Sequence, residues 1–189
     1  MEDDCLVIIP TKNEEKNLKK NIKKLIDLKV NFLHVLDYCE DKSEEIINEF
    51  NTQYINNNLD PGYDSAIYLG IKYAKSNNYK SILTFDADNQ LPFDQIKSFI
   101  ALQKDYELII GNRNKKRLSE RLAALIFNLK YKIKDPFCGM KLINIKSLDM
   151  KNIKGKKLIG IQLLFNLNQN RIKNINIVVK TTNRVSRFG

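Results

Sequence analysis

Short apolar runs alternate along this chain with segments of helical periodicity, and this alternation constrains the fold more than any other feature. The runs are Cys5–Ile9, Phe32–Leu36, Tyr54-Ile55, Ser81–Phe85 and Leu108–Ile110, the last closed by Gly111. Strands of a parallel sheet are buried on both faces, so their sequences are apolar throughout rather than alternating. The pattern therefore predicts an α/β protein with a mainly parallel central sheet and helices on both faces.

The segments between these runs predict helices. The first spans about Glu14 to Leu28, and its apolar residues share one face: Leu18, Ile22, Leu25 and Ile26. Ser43 is expected to cap a second helix that runs to about Phe50. Two more helices are expected, one through Ala66, Gly70 and Ala74 and one over Phe93–Gln103.

Size, charge and cysteine content narrow the classes of protein. At 189 residues and 22.0 kDa the chain suits a single domain. A net charge of +10 favours anionic partners, such as nucleoside diphosphates, nucleic acid or an acidic membrane surface. The cysteines are widely spaced and form no metal-binding pattern, which suits a reducing compartment and predicts a cytoplasmic protein. His34, the only histidine, lies in an apolar run, which argues against histidine-based catalysis.

Polar residues follow three of the predicted strands at the point where each strand ends. Pro10–Glu15 follows the first strand, Asp37 the second, and Asp86 with Asp88 the fourth. Ligands of open parallel sheets bind beyond the carboxyl ends of the strands. We therefore expect one ligand crevice, although each cluster taken alone could simply cap a helix or close a turn.

Asp86 and Asp88 are the candidate metal ligands. On a strand they would project to the same side, and two carboxylates about 5 Å apart repel by roughly 3 kcal/mol at an effective dielectric of ~20. A divalent cation would remove this repulsion, and oxygen ligands of this kind suit Mg²⁺ or Mn²⁺ together with substrate phosphates. The alternative is a turn that leads into the helix near Phe93.

The sequence lacks the signature motifs of several enzyme classes. Neither G-x-G-x-x-G nor G-x-x-x-x-G-K-[ST] occurs, which argues against a dinucleotide dehydrogenase and a P-loop NTPase. The two acids follow one strand instead of flanking a glycosidic bond, which argues against a two-carboxylate hydrolase. Pro10–Asn13 is not the glycine-rich loop of a nucleotidyltransferase. A non-catalytic module that binds anions or nucleic acid stays open on charge alone, although no strip of stacking aromatics supports nucleic acid.

Four segments, in order, resemble a family 2 glycosyltransferase of the GT-A fold. They are Val7–Glu15, Gly62 with Ala66, Gly70 and Ala74, Asp86–Gln90 with Pro92, and Gly111–Arg113. A fifth, Asp135–Lys141, resembles the D-x-x-[CS]-G segment of the dolichyl-phosphate mannose synthase-like branch. The resemblance implies one GT-A domain over residues 1–189, with a nucleotide-sugar-binding half over about 1–115 and an acceptor-side half with the C-terminal tail over about 116–189.

The resemblance also implies site residues and a Mg²⁺ or Mn²⁺ cofactor held by Asp86 and Asp88. The expected nucleotide-sugar-binding residues are Pro10, Thr11, Asn13, Glu14, Asp37, Gly62, Asp86, Ala87 and Asp88. The expected catalytic residues are Asp88, Gln90, Arg113 and Asp135. Arg184 and Arg187, in a tail that resembles that of the same branch, are candidates for binding an acceptor phosphate.

The resemblance implies an inverting hexosyltransferase that moves a sugar from a UDP- or GDP-linked donor to an acceptor. A hydroxyl acceptor needs a general base, whereas a phosphate monoester, with a second pKa of about 6, is already ionised. Gln162 stands about where relatives often have an acid, so a polyprenyl-phosphate acceptor fits. Transfer to a saccharide hydroxyl in surface-polysaccharide synthesis, with Asp135 as base, stays open.

Arg117–Lys134 predicts an amphipathic helix with an apolar stripe and lysines at its end. The stripe comprises Leu118, Leu122, Leu125, Ile126, Leu129 and Ile133. Such a stripe usually packs on the protein's own core, which is the outcome we expect here. The alternative is a peripheral contact with the inner face of the cell membrane, since a basic amphipathic helix can rest in an anionic interface.

Overall fold

Seven strands form one sheet in the computed structural model of the chain, which describes residues 4–148, 159–164 and 171–179. The strands are β1 (Cys5–Thr11), β2 (Asn31–Leu36), β3 (Tyr54–Asn56), β4 (Ser81–Thr84), β5 (Leu108–Arg113), β6 (Lys141–Asn144) and β7 (Ile172–Ile177). The helices are α1 (Glu15–Asp27), α2 (Ser43–Glu49), α3 (Tyr63–Ser76), α4 (Gln95–Ala101), α5 (Leu118–Tyr131) and α6 (Ile159–Gln162). A single 3₁₀ turn follows β6.

The strand order is β3-β2-β1-β4-β6-β5-β7. All neighbouring strands are parallel except β6, which runs antiparallel to both β4 and β5. The predicted mainly parallel sheet is confirmed. Because β6 is reversed, its first residue, Lys141, pairs with Thr84 at the carboxyl end of β4 and with Ile110 in the middle of β5.

Helices cover both faces of the sheet, as the apolar strands predict. Every residue of β1 is buried. On one face, Leu36 of β2 packs with buried residues of α1 and α2. Leu33 and Val35 point the other way and belong to the cluster that contains Ala66, Ile67 and Ile71 of α3.

Some local predictions differ from the structure. Ile26 of α1 is 46% exposed, although the other three residues of the predicted face are buried. Ser43 is the first residue of α2 rather than its cap, and its hydroxyl accepts a hydrogen bond from the backbone N–H of Glu14 (3.0 Å). β5 continues past Gly111 to Arg113, because each of these residues pairs with β7, a strand that the sequence analysis did not predict.

The expectation that the apolar stripe of α5 packs on the core is wrong. Five of its six residues are exposed, and only Ile133, beyond the helix, is buried; the exposed ones are Leu118, Leu122, Leu125, Ile126 and Leu129. The opposite side of α5 contacts the protein instead, through buried Ala124 and the half-buried rings of Phe127 and Tyr131. Across the described ranges, no helix has the length and apolar content to span a bilayer.

Candidate active site

The sheet topology brings the predicted polar clusters to one edge. β1 lies between β2 and β4, and all three run parallel, so their carboxyl ends are neighbours. The backbone N–H of Asp37 donates to the carbonyl of Thr11 (2.8 Å), which joins the segments that follow β1 and β2. Clusters that are separate in sequence therefore lie at the same edge of the sheet.

Asp86 and Asp88 lie on a loop rather than on a strand. β4 ends at Thr84, and the chain turns through Ala87 and Asp88. The side chain of Asp88 accepts a hydrogen bond from the backbone N–H of Gln90 (3.1 Å), and Asn89 has a positive φ of 61°. Turn geometry, rather than the strand alternation that the sequence analysis assumed, places these two partly exposed carboxylates.

Amide side chains of α1 anchor this loop. Asn21 donates to the carbonyl of Ala87 (2.7 Å), and Asn89 donates to the side chain of Asn17 (2.9 Å). Asn17 in turn donates to the carboxylate of Glu14 (2.9 Å), which is only 7% exposed. The polar side of α1 therefore links the segment after β1 to the loop after β4.

The carboxylate of Asp86 packs against the backbone of Gly139. A Cβ atom at Gly139 would lie 2.5 Å from Cγ and 2.6 Å from Oδ1 of Asp86, and closer still to Oδ2, so only glycine leaves room for this arrangement. The hydroxyl of Tyr63 is hydrogen-bonded to the same carboxylate. Burial of that hydroxyl, together with the charge of Asp86, raises the pKa of Tyr63 well above its ordinary value.

Lys141 supplies a buried positive charge to this region. It is 4% exposed, and its ammonium group donates to the carbonyl of Cys138. Burial lowers the pKa of Lys141, and the negative charge of Asp86 opposes that shift. The amino-terminal end of β6 therefore brings a cation towards the carboxylates of the β4 loop.

The side chain of Thr11 points into the protein. Its hydroxyl donates to the carbonyl of Ile9 (3.1 Å) and lies 3.0 Å from Nδ1 of His34, so Nδ1 is the donor of that second bond. Burial lowers the pKa of His34 to about 3, which keeps the imidazole neutral. Pro10 and Thr11 are both buried at the carboxyl end of β1.

The loop after β1 is fixed by the loop after β2. Asn13 has a positive φ of 53°, and its side chain accepts from the backbone N–H of Glu40 (2.9 Å). The backbone N–H of Glu15 donates to Asp41 (2.9 Å), beside the bond from Glu14 to Ser43. Side chains of Asp41, in the β2–α2 connection, and of Ser43, at the start of α2, thus accept hydrogen bonds from backbone donors at the amino terminus of α1.

Asp37 is a buried carboxylate with internal partners. It is 0% exposed and accepts from the side chain of Asn57 (2.6 Å) and the backbone N–H of Gly62 (2.9 Å). Lys12 lies 3.6 Å from its second oxygen. Gly62 has φ 141°, a conformation that side-chain-bearing residues rarely adopt, so glycine is needed where Asp37 holds the start of α3.

Tyr38, next to Asp37, presents an exposed aromatic ring just beyond the carboxyl end of β2. It is 51% exposed, has a positive φ of 49°, and its hydroxyl donates to the carbonyl of Leu59 (2.7 Å). The strained backbone and the hydroxyl contact hold the ring outward.

The partly buried Arg113 and the fully buried Asp135 form a bidentate ion pair. The guanidinium donates to both carboxylate oxygens of Asp135 (2.8 and 3.0 Å), and the backbone N–H of Arg113 adds a third bond (3.1 Å). Glu120 accepts from the same guanidinium (3.0 Å). Burial disfavours the charged guanidinium, but the hydrogen bonds and charge of Asp135 and the charge of Glu120 outweigh it and raise the pKa of Arg113.

A basic cleft adjoins this ion pair at the start of α5. Its volume is about 200 Å³, and it is lined by Arg113, Asn114, Lys116, Arg121 and Ala124. Lys116 donates to the side chain of Asn112 (2.7 Å) and to the carbonyl of Lys134 (2.9 Å), so its ammonium group is held in place. Three cations line a cleft whose neighbouring acids, Glu120 and Asp135, both contact Arg113.

The donor set at the β4 loop suits a hard divalent cation. In the described part of the chain no three His, Cys, Asp or Glu side chains cluster tightly enough to hold a metal ion. Asp86 and Asp88 are half-buried residues that offer two carboxylates, and Oδ1 of Asp86 is itself buried. Mg²⁺ usually takes one or two carboxylates plus substrate phosphates and water. The residues therefore fit a cation that arrives with a diphosphate.

Of the remaining predicted residues, two lie in the described part of the chain and two do not. Gln90 follows Asp88 in the turn and is half-buried, and Gln162 ends α6, which packs near α3. Arg184 and Arg187 lie outside the described residues. Four residues of this region were not predicted from the sequence: Asn17, Asn21, Tyr63 and Lys141. The one signal available for any of them was that Asn17 and Asn21, at i and i+4, share a face of an amphipathic helix.

Comparison with solved structures shows the same fold elsewhere. Glucosyl-3-phosphoglycerate synthase from Mycobacterium tuberculosis in complex with phosphoglyceric acid has a TM-score of 0.76 and 17% identity, and the match covers 95% of this chain and 72% of that one. The same enzyme in complex with Mn²⁺, UDP-glucose and phosphoglyceric acid has a TM-score of 0.76 and 16% identity, with the same coverage. These similarities confirm the predicted GT-A fold.

Sequence comparison identifies relatives and a family. The uncharacterized protein MJ0544 of Methanocaldococcus jannaschii is 33% identical over 170 residues, which cover 77% of this chain and 74% of that protein. Protein MJ1222 of the same organism, also uncharacterized, is 31% identical over 115 residues, which cover 59% of this chain and 47% of that protein. A model of glycosyl transferase family 2 matches residues 6–175. The chain therefore belongs to glycosyl transferase family 2.

Proposed function

We propose that this protein is an inverting hexosyltransferase that moves a sugar from a UDP- or GDP-linked donor to an acceptor that carries a phosphate. The observation that carries the proposal is the pair Asp86 and Asp88 on the loop after β4, with Asp86 packed against Gly139, in a chain of this family. Mycobacterial structures of the same fold contain Mn²⁺ and UDP-glucose, which supports a nucleotide-sugar donor and a divalent cation.

In this proposal Asp88 and Asp86 hold Mg²⁺ or Mn²⁺, with Asp88 as the more direct ligand. When bound, the cation supplies positive charge to the diphosphate that departs from the sugar. Lys141 adds a buried charge on the same side of the sheet. Gln90 shapes the sugar pocket next to the turn.

The nucleoside end of the donor occupies the crevice above β1 and β2. Pro10, Thr11 and Asp37 are buried, so they act by fixing the shape of this crevice and the position of Gly62. Asn13 and Glu14 hold its rim. The exposed ring of Tyr38 is the group best placed to stack on the base, and aromatic stacking contributes about 1–3 kcal/mol per base.

The acceptor half favours a phosphate over a neutral hydroxyl. Its described residues contain two acids, Glu120 and Asp135, and both contact Arg113. An Asp135 that is fully buried, with both oxygens bonded to a guanidinium, is poorly placed to accept a proton from a hydroxyl. We therefore assign Asp135 to holding Arg113, while Arg113, Lys116 and Arg121 of the basic cleft bind the acceptor phosphate, which needs no deprotonation.

A polyprenyl phosphate is the acceptor that we favour, and it would bring the reaction to the inner face of the cell membrane. The dolichyl-phosphate mannose synthase-like segment Asp135–Lys141 supports this choice. Arg184 and Arg187 of the tail are further candidates to bind that phosphate. The bound phosphoglyceric acid in mycobacterial structures of the same fold supports an acidic acceptor more generally.

The test is an incubation with UDP- and GDP-sugars, with Mn²⁺ or with EDTA, and with polyprenyl phosphate, phosphoglyceric acid or neutral saccharides. Metal-dependent transfer to polyprenyl phosphate, with inversion at the anomeric carbon seen by NMR, is the expected result. Transfer to the saccharide alone would contradict a phosphate acceptor and would indicate that the acceptor is a saccharide hydroxyl, as in polysaccharide synthesis. Salt-sensitive binding of nucleic acid without turnover would indicate that the protein is a nucleic-acid-binding module and not an enzyme.

A further inference from the structure

The outward face of α5 is an unusual surface for a helix of this length. Over residues 118–129 its five outward aliphatic side chains are between 56% and 81% exposed, and they fall at i, i+4, i+7, i+8 and i+11. That spacing places them in one stripe along the helix. We call this stripe, made of Leu118, Leu122, Leu125, Ile126 and Leu129, the outer face.

The outer face is separate from the side of α5 that contacts the core. The side of α5 that contacts the core carries Ala124, Phe127 and Tyr131, roughly opposite the stripe. The helix is thus apolar on two sides, and only one of them packs on the core. Contiguous exposed apolar surface of this kind marks a site of interaction.

The charges around the outer face select its partner. Residues 115–134 contain seven Lys and Arg and a single acid, Glu120, which contacts Arg113 instead of the outward surface. Arg121 and Lys130 flank the stripe on its two sides, and Lys115, Lys116 and Arg117 precede it. A second copy of this face would bring like charges together, whereas an anionic surface complements them.

We propose that the outer face of α5 docks on an anionic lipid bilayer, with its aliphatic side chains in the interface and the surrounding cations on the lipid head groups. Because it names the surface for the membrane contact of the proposed function, the inference deepens that proposal and rests on it. Arg121 and Ala124 also line the basic cleft. The same helix would therefore hold the acceptor-side cleft next to the membrane.

A single-tryptophan reporter tests the docking without donor, acceptor or metal. The chain contains no tryptophan, so Leu129→Trp, at a position that is 78% exposed, gives one unambiguous signal. Ile26→Trp on α1, at 46% exposure, is the matched control. We expect a blue shift of emission for Leu129→Trp with phosphatidylglycerol-containing vesicles, none with pure phosphatidylcholine, and none for the control.

Charge and apolar variants locate the contact by vesicle co-sedimentation. Lys115→Glu with Lys130→Glu should weaken binding to anionic vesicles at least tenfold, because each basic residue near the surface contributes about fivefold. The control Lys20→Glu with Lys23→Glu makes the same change in net charge on exposed positions of α1 and should leave most of the binding. Leu122→Gln with Leu125→Gln should also weaken binding at least tenfold while leaving the melting temperature unchanged, since both side chains are exposed.

Four results would overturn the inference. The first two are equal binding to anionic and neutral vesicles, and equal losses of binding in the α5 and α1 charge variants. The third is a concentration-dependent dimer that accounts for the blue shift without vesicles. The fourth is emission that is already blue and unaffected by vesicles, because another part of the chain covers the stripe. Vesicle binding that persists in a protein without transferase activity would instead contradict only the proposed reaction.

Discussion

The contact between Gly139 and Asp86 allows a test of the site with one added methyl group. In Gly139→Ala the new Cβ would lie 2.5 Å from Cγ of Asp86, whereas real Cβ contacts are essentially never shorter than 3.0 Å. The carboxylate must therefore retreat by at least half an ångström, and Oδ2, which lies closer, by more. A misplacement of about 1 Å in a catalytic group costs about 100-fold in rate, so we expect a 30- to 100-fold loss of metal-dependent nucleoside diphosphate release.

The matched control is Gly160→Ala. A Cβ at Gly160 meets only the ammonium of Lys141 at 3.8 Å, which is an ordinary contact, and alanine is the better helix former by about 1 kcal/mol. This variant should keep its rate within twofold and melt no lower than the wild type. Because Asp86 is partly exposed and can swing towards solvent, Gly139→Ala should also stay folded. Equal rates for the two variants would refute the idea that the position of Asp86 matters for the reaction.

Three further predictions address Asp135, His34 and Tyr38. Asp135→Asn leaves the guanidinium of Arg113 partly buried with one acid fewer, so it should cost about 2–3 kcal/mol of unfolding free energy. It should also raise the KM for a phosphate acceptor. Loss of kcat alone, with stability intact, would instead indicate that Asp135 is the general base. The pKa of His34 is about 3 in the folded protein and about 6.5 when unfolded, so only the unfolded state gains this proton as the pH falls, and stability is lost. From pH 8 to pH 5 the wild type should lose about 2 kcal/mol more than His34→Gln in urea titrations, and equal losses would contradict the buried neutral ring. Tyr38→Ala should weaken nucleoside diphosphate binding about tenfold by calorimetry, while Tyr38→Phe, which keeps the ring and loses the bond to Leu59, should bind within threefold; similar losses in both would assign the effect to the hydroxyl.

Local patterns were sufficient to predict five of the seven strands and the edge of the sheet at which the polar residues meet. The apolar runs of β1, β2 and β4 are buried as expected, and the polar residues that follow them meet at one edge because the strands are parallel. β6 and β7 were not predicted. β6 is short and half of its residues are polar, and β7 contains three isoleucines, one lysine and two asparagines, so neither has the fully apolar character of a central strand.

Contacts between distant segments could not be predicted from the sequence. Arg113 and Asp135 were both expected at the site, but their ion pair depends on how β5 and the segment before β6 approach each other. The packing of Asp86 on Gly139 has the same origin. The outer face of α5 was predicted as a stripe and assigned to the core, because periodicity shows that a helix has an apolar side and not what covers it.

Thermal unfolding of wild type and Asp88→Asn, with UDP or GDP and with or without Mn²⁺, tests the central claim that these carboxylates bind a metal-bridged diphosphate. The amide retains an oxygen for the Gln90 hydrogen bond, so the turn should persist and the apo melting temperature should stay within about two degrees. At a ligand concentration 100 times Kd, binding adds about 2.7 kcal/mol, or about 5–10 °C for a chain of this size. We predict that shift for the wild type with Mn²⁺ only, and none for Asp88→Asn. A shift of the same size in EDTA, or in Asp88→Asn with Mn²⁺, would contradict the claim.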